Sequence, residues 1–180
     1  MGSEPLSRAD APDLETRLER FHPSSFGWAL VCCRWDREEA QEVLQASYLK
    51  AIEGRARFNG HSSTRTWFFG VVRQTAIEQR RNHAVRSHAL RRWLTGQPPA
   101  MPVPTPERLS VEAEAQLRLR RLLGCLSPRQ RELLHLVFYQ ELTIEQAADV
   151  LRVSVGTART HYERGKARLR ELISGAGEDR

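Results

Sequence analysis

The stretch SVGTARTHYERGKAR, Ser154 to Arg168, sets hydroxyls and cations at the spacing of one helix face. At 3.6 residues per turn, Val155, Ala158 and Tyr162 turn inward, while Thr157, Arg159, Thr160, His161, Arg164 and Lys166 are left outside. Serine, threonine and arginine side chains hydrogen-bond to base edges and to phosphate oxygens. Ser154 can cap the helix start, where the free amides of Val155 and Gly156 suit a phosphate, and Gly156 lets the backbone come close. Ser154, Thr157, Arg159 and Thr160 are the expected base-reading set, with Arg164, Lys166 and Arg168 as phosphate contacts.

A second set lies in a loop. Asn59, Gly60, His61, Ser62, Ser63 and Thr64 are small and polar, the composition of a pocket that holds an extruded base by its Watson–Crick edge. Arg65 and Trp67 follow directly. Trp67 could wedge at a duplex junction, although an aromatic at helical spacing serves equally as core. Gln74 and the cations Arg73, Arg80 and Arg81 fall on the polar side of the next helix, as phosphate contacts or as a solvated face.

These groups need rigid helices behind them. Thr143 and Gln146 make a capping box, and Ile144, Ala147, Ala148 and Leu151 then form one apolar face, so residues 142–172 read as a helix-turn-helix. Upstream, Ser127-Pro-Arg-Gln130 is another capping box, with Pro at the first helical position. Leu133, Leu134, Leu136, Val137 and Phe138 are expected to bury that helix, and a Leu- and Arg-rich helix over 111–123 precedes it.

In the first half, Leu14, Leu18 and Phe21 mark a short amphipathic helix that Pro23 punctuates. The apolar run from Phe26 to Trp35 predicts a core helix. Asp36 and Glu39 make a further capping-box start, opening a helix with Ala40, Val43, Leu44, Ser47, Tyr48, Ala51 and Ile52 inward and Glu38, Glu42 and Gln45 outward. Gly54 to Ser63 breaks the periodicity. A long helix runs from Thr64 to about Asn82 on Phe68, Val71, Val72, Thr75 and Ala76, and a separate basic helix is predicted over 85–94. The segment TGQPPAMPVPTPERLS holds five prolines and no periodicity, the composition of a semi-stiff linker. The predicted fold is all-α, with two small helical domains at 13–94 and 111–174, the linker at 95–110, and tails at 1–12 and 175–180.

Lys plus Arg number 28 against 22 acidic residues, a net charge of +6 and a pI near 9.9. Both domains are basic, which suits a polyanion running past both. No 18-residue apolar run exists, and the acidic-polar N-terminus lacks a hydrophobic signal core. Cys32, Cys33 and Cys125 are odd in number and lack a CxxC spacing, so buried free thiols are expected and no metal or cofactor.

Taken together, DREEAQEVLQASYLKAIEGRARFNGHSSTRTWFFGVVRQTAIEQRR and LSPRQRELLHLVFYQELTIEQAADVLRVSVGTARTHYERGKARLREL resemble regions 2 and 4 of bacterial RNA polymerase sigma factors, sigma-70 family, in the extracytoplasmic-function group. The resemblance implies a non-catalytic, cytoplasmic initiation subunit. Region 4 would read the −35 promoter element through Ser154, Val155, Gly156, Thr157, Arg159, Thr160, Arg164 and Lys166. Region 2 would open the −10 element with the 59–64 loop, Arg65, Trp67, Arg73, Gln74, Arg80 and Arg81. Glu39, Glu42 and Gln45 would meet the polymerase clamp helices. Core RNA polymerase, promoter DNA and an anti-sigma factor are the implied partners. Ala46, Thr64, Gly70, Gln74 and Arg152 depart from the usual pattern.

Two other classes remain open at this point. A stand-alone helix-turn-helix regulator would need a dimer face or a sensor domain, and it leaves residues 13–94 without a role. A helical enzyme would need a phosphate loop, metal-ligand spacing or nucleophile motif, and the sequence has none.

Overall fold

A computed structural model describes the backbone of residues 11–93 and 111–175, and the side chains of 14–83 and 117–174. The expected tails and the proline-rich linker lie outside the described residues. Within them the chain forms α1 (Ala11–Arg20), α2 (His22–Cys32), α3 (Arg37–Ile52), α4 (Thr64–Trp93), α5 (Val111–Gly124), α6 (Pro128–Leu134), a π turn (His135–Tyr139), α7 (Ile144–Leu151) and α8 (Val155–Gly175). No strand occurs among the described residues.

Local capping chemistry sets most starts. The Asp36 carboxylate accepts from the Glu39 N–H at 3.0 Å. Two of the three expected capping boxes close, Ser127 with Gln130 before α6 and Thr143 with Gln146 before α7, whereas at α3 only the Asp36 half forms. Losing such a cap costs about 0.5–2 kcal/mol. Pro23, expected to end a helix, instead opens α2, because its missing N–H belongs to the first turn, where no intrahelical bond is lost. α2 stops at Cys32, and Arg34 and Trp35 follow with φ of +54° and +69°, so Trp35 lies outside the helix. α4 continues past Asn82 to Trp93 as one helix of 30 residues. No proline or glycine interrupts it between 71 and 93.

α2, α3 and α4 pack around Trp28, Ala40, Val43, Leu44, Phe68, Phe69 and Val72, with α1 laid against α3. The Trp28 indole donates to the Phe69 carbonyl at 2.9 Å, satisfying its only polar atom inside the core. α6, α7 and α8 pack around Leu133, Leu136, Ala147, Leu151 and Ala158. Gly165 lets α8 approach α6 closely: a Cβ there would meet Gln130 and Leu134 at 3.2 Å.

Three residues expected inside are outside. Phe138 is 63% exposed, Ile52 46% and Val155 38%. For Phe138 the cause is the π turn. Its extra residue per turn, closed by Gln140 N–H to the His135 carbonyl at 3.0 Å, rotates Phe138 and Tyr139 off the buried face. Cys32 and Cys33 are buried free thiols, as expected, whereas Cys125 is exposed at the end of α5.

The two helical groups also pack on each other. α4 lies against α7, and α2 touches α6 and the π turn.

Candidate nucleic-acid interface

The α7–turn–α8 unit is built as the sequence predicts. Arg152 ends α7 in the left-handed region, φ +53°, and the turn returns through Val153 to Ser154. Ser154 caps α8 by accepting from the Thr157 N–H at 3.1 Å, and the two hydroxyls lie 2.8 Å apart. Ala158 and Gly165 face the core. Ser154, Val155, Gly156, Thr157, Arg159, Thr160 and Arg164 are all exposed and lie on one open surface, with Lys166 half-buried beside them. Arg159 makes one loose ion pair, 3.9 Å from Glu145, with its side chain 65% exposed. Lys166 sits over the Tyr162 ring at 4.8 Å, and Arg168 pairs with Glu171 at 2.9 Å. His161, expected outside, is half-buried.

The loop set is also brought together. Asn59, Gly60, His61 and Ser63 are exposed, and Gly60 takes φ +72°. The Asn59 side chain accepts from the His61 N–H at 3.3 Å. Ser63 caps α4 by accepting from the Thr66 N–H at 3.1 Å. Thr64 is buried and so differs from its loop neighbours. Trp67 is half-buried: its indole donates to the Arg57 carbonyl at 3.1 Å and its ring lies 5.4 Å from Phe58, so it braces the loop. A half-open cleft of about 520 Å³ runs beside it, lined by Lys50, Arg57, Ser62, Trp67 and Gln74 on one side and by Asp149 and Arg152 of the α7 end on the other. Inside the cleft wall, Lys50 bonds Thr75 at 3.1 Å and Glu78 at 2.6 Å, while Gln74 donates to Glu78 at 3.2 Å. The hydrogen bond from the Lys50 ammonium holds the Glu78 carboxyl below its usual range.

The cations of α4 do not share one solvated face. Arg73 is buried, and its Nε donates to Glu132 of α6 at 3.1 Å. Arg80 bonds the Cys32 carbonyl at the end of α2 and lies 3.7 Å from Glu39. Arg65 lies over the Phe69 ring at 5.2 Å and donates to the Gln140 side chain at 2.8 Å. Burial pushes the Arg65 guanidinium below its ordinary range. Among the predicted phosphate cations of α4, only Arg81 is fully exposed. On α3, Glu42 and Gln45 face solvent, and Glu39 is half-buried against Arg80.

Sequence reasoning missed the residues that join the two helical groups. Gln140 is 1% exposed; besides accepting from Arg65, its amide donates to the Ser24 carbonyl at 3.2 Å and bonds His135 Nε2 at 3.0 Å. His135 stacks on Trp28 with ring centroids 5.7 Å apart. Burial pushes its pKa down to about 4, so it is neutral at pH 7. The only signal in the sequence was two polar residues, His135 and Gln140, at the ends of an apolar run. No group of three or more potential metal ligands clusters among the described residues.

This arrangement belongs to a known class. Sigma-70 region 2 matches residues 18–86, and sigma-70 region 4 matches residues 116–169. The chain is 28% identical to the RNA polymerase sigma factor YlaC of Bacillus subtilis, over 79% of this chain and 82% of that protein. It is 27% identical to the extracytoplasmic-function sigma factor SigX of the same species, over 76% and 71%. In fold it is similar to the sigma factor RpoE solved with the anti-sigma factor NepR from Bartonella quintana, with a TM-score of 0.69, 22% identity, and 90% and 97% of the two chains covered. It is also similar to CnrH solved with the cytosolic domain of CnrY, with a TM-score of 0.61, 19% identity, and 93% and 97% covered. The chain belongs to the sigma-70 family, in the extracytoplasmic-function group. Among the described residues no helix is long and apolar enough to cross a membrane.

Proposed function

We propose that this chain is an initiation subunit that seats on core RNA polymerase, reads a promoter at two places and helps to open it. The single observation that carries the reading is the open face of α8. Its hydroxyls and cations stand clear of the packed side, behind a capped scaffold helix, as insertion into a major groove requires. Ser154, Thr157, Arg159 and Thr160 take base edges of the −35 element; Arg164, Lys166 and the α8 start take phosphates.

The 59–64 loop, with Trp67 as its brace, takes the −10 element, and Arg65, Arg73, Gln74 and Arg81 follow the strand. Arg80 serves first as a cap on α2 and is a weaker candidate. Glu42 and Gln45 present an acidic and polar edge to a basic polymerase surface, and Glu39 supports them through Arg80. Residues 13–94 and 111–174 act as two modules. The polymerase performs the chemistry, and this chain supplies contacts within the cytoplasm. A protein of the anti-sigma type is the expected regulator, since the similar sigma factor RpoE was solved bound to the anti-sigma factor NepR.

Copurification with core polymerase tests the reading. The full chain should comigrate with the core enzyme on gel filtration at low salt, and Glu42→Lys should weaken that association at least tenfold. Separate elution at all salt concentrations would contradict the proposal.

A further inference from the structure

The four base-reading side chains of α8 differ in how they are held. The Thr160 hydroxyl donates to the Gly156 carbonyl at 3.0 Å, and the Ser154 and Thr157 hydroxyls share a bond of 2.8 Å. Those three are short and lie against their own helix. Arg159 is long and exposed, and it pairs with a different element: Glu145, in the first turn of α7, 3.9 Å away.

Glu145 takes no part in the core, and its side chain is 60% exposed. Its carboxylate is nonetheless fixed. Its own backbone N–H first, then the Thr143 hydroxyl, hold it below the usual carboxylate range, and Arg159 adds to both. Thr143 thus works twice, since its oxygen also accepts from the Gln146 N–H at 3.2 Å in the capping box. Thr143, Glu145 and Arg159 form a line from the start of the scaffold helix to the reading helix.

An ion pair this exposed contributes little to stability. A carboxylate on a surface that meets DNA also repels phosphates, which lowers affinity for every sequence alike. What it supplies is direction. A lone Arg159 would spread over many rotamers, and any phosphate within reach would take its charge. With one side of the guanidinium held by a fixed carboxylate, the remaining donors point one way, as bidentate bonds to O6 and N7 of guanine require.

We infer that Glu145 is a positioning residue for −35 recognition, one that holds Arg159 toward a base edge and away from phosphates, so that the chain exchanges affinity for sequence preference. The inference rests on the function proposed above and names the residue that sets how sharply the α8 face discriminates.

Reach separates position from charge. At 3.9 Å the glutamate only just meets Arg159, so an aspartate, shorter by one methylene, keeps the charge and loses the contact. The test uses holoenzyme assembled from core polymerase and the full chain. It selects from duplexes randomised across the −35 region, and affinity is then measured on the selected duplex and on a scrambled one. The parent should enrich a defined sequence, and Arg159→Ala should flatten the preference at one position. Glu145→Gln should flatten that same position about three- to tenfold and tighten binding to the scrambled duplex about two- to threefold. Glu145→Asp should flatten it equally without the tightening. In the Arg159→Ala background, Glu145→Gln should leave the preference unchanged. Glu163→Gln removes an equally exposed carboxylate from α8 and should tighten binding to both duplexes alike, flattening no position.

Full preference in Glu145→Gln, or an equal shift on both duplexes, would overturn the inference and leave Arg159 as an unaided reader. Flattening at a position that Arg159→Ala leaves intact would also overturn it, because Glu145 would then read a base itself. No enrichment by the parent holoenzyme would instead contradict promoter reading by this chain, and the inference would fall with it.

Discussion

The indole of Trp28 and the imidazole of His135 stack at 5.7 Å with their planes 19° apart, 107 residues apart in sequence. Trp28 is fully buried and belongs to the N-terminal core, so this stack ties the region 4 helices to the region 2 helices through one neutral histidine.

That neutrality predicts a pH dependence. The His135 pKa is pushed down to about 4 by burial, from 6.5. Between those values the unfolded chain binds more protons than the folded one, so stability rises with pH across that window and is lost as pH falls from about 6.5 to 4. The full difference is about 3 kcal/mol. Urea midpoints at pH 7, 5.5 and 4 should fall steeply for the parent chain and less steeply for His135→Gln. Equal slopes would show that another group carries the dependence.

Two exchanges, one removing a glycine and one adding it, should each stabilise the fold. Gly70 lies inside α4, and a methyl group added there would have nothing within 4 Å, so Gly70→Ala should gain about 0.5–1 kcal/mol of helix stability. Arg152 holds φ +53° at the end of α7, a region that costs a side-chain-bearing residue about 1 kcal/mol, so Arg152→Gly should also raise the melting temperature. A lower melting temperature for either would contradict the local geometry.

Thiol chemistry should divide one to two. Cys125 is exposed, whereas burial raises Cys33 to about 12 and Cys32 well above its ordinary range. A disulfide reagent should titrate one thiol per native chain and three in denaturant. Rapid reaction of three thiols in the native chain would contradict the burial of the α2 end.

Arg159→Ala should weaken promoter binding by roughly 1–3 kcal/mol and relax preference at one −35 position. Binding titrations on substituted −35 duplexes check this. An equal loss on every sequence would reduce Arg159 to a phosphate contact.

Much of this molecule is written in short-range signals. Asp36, Ser127 and Thr143 announce helix starts within four residues of themselves, and the outer face of α8 needs only its own periodicity. The features hidden from the sequence depend on a second element. Arg73 lies on the polar side of α4, as its spacing predicts, but α7 packs along α4 and Glu132 of α6 meets Arg73 there, and periodicity says nothing about covering. Phe138 leaves the core because of a one-residue π insertion that no composition marks. Pro23 opens a helix or ends one depending on which side of it the chain packs.

The most direct test is run-off transcription with core polymerase on fragmented DNA of the source bacterium, with and without this chain. Initiation is expected at a small number of discrete start sites, only when the chain is added, with loss of those transcripts for Arg159→Ala. Transcription unchanged by the chain at every template would contradict a role in promoter recognition.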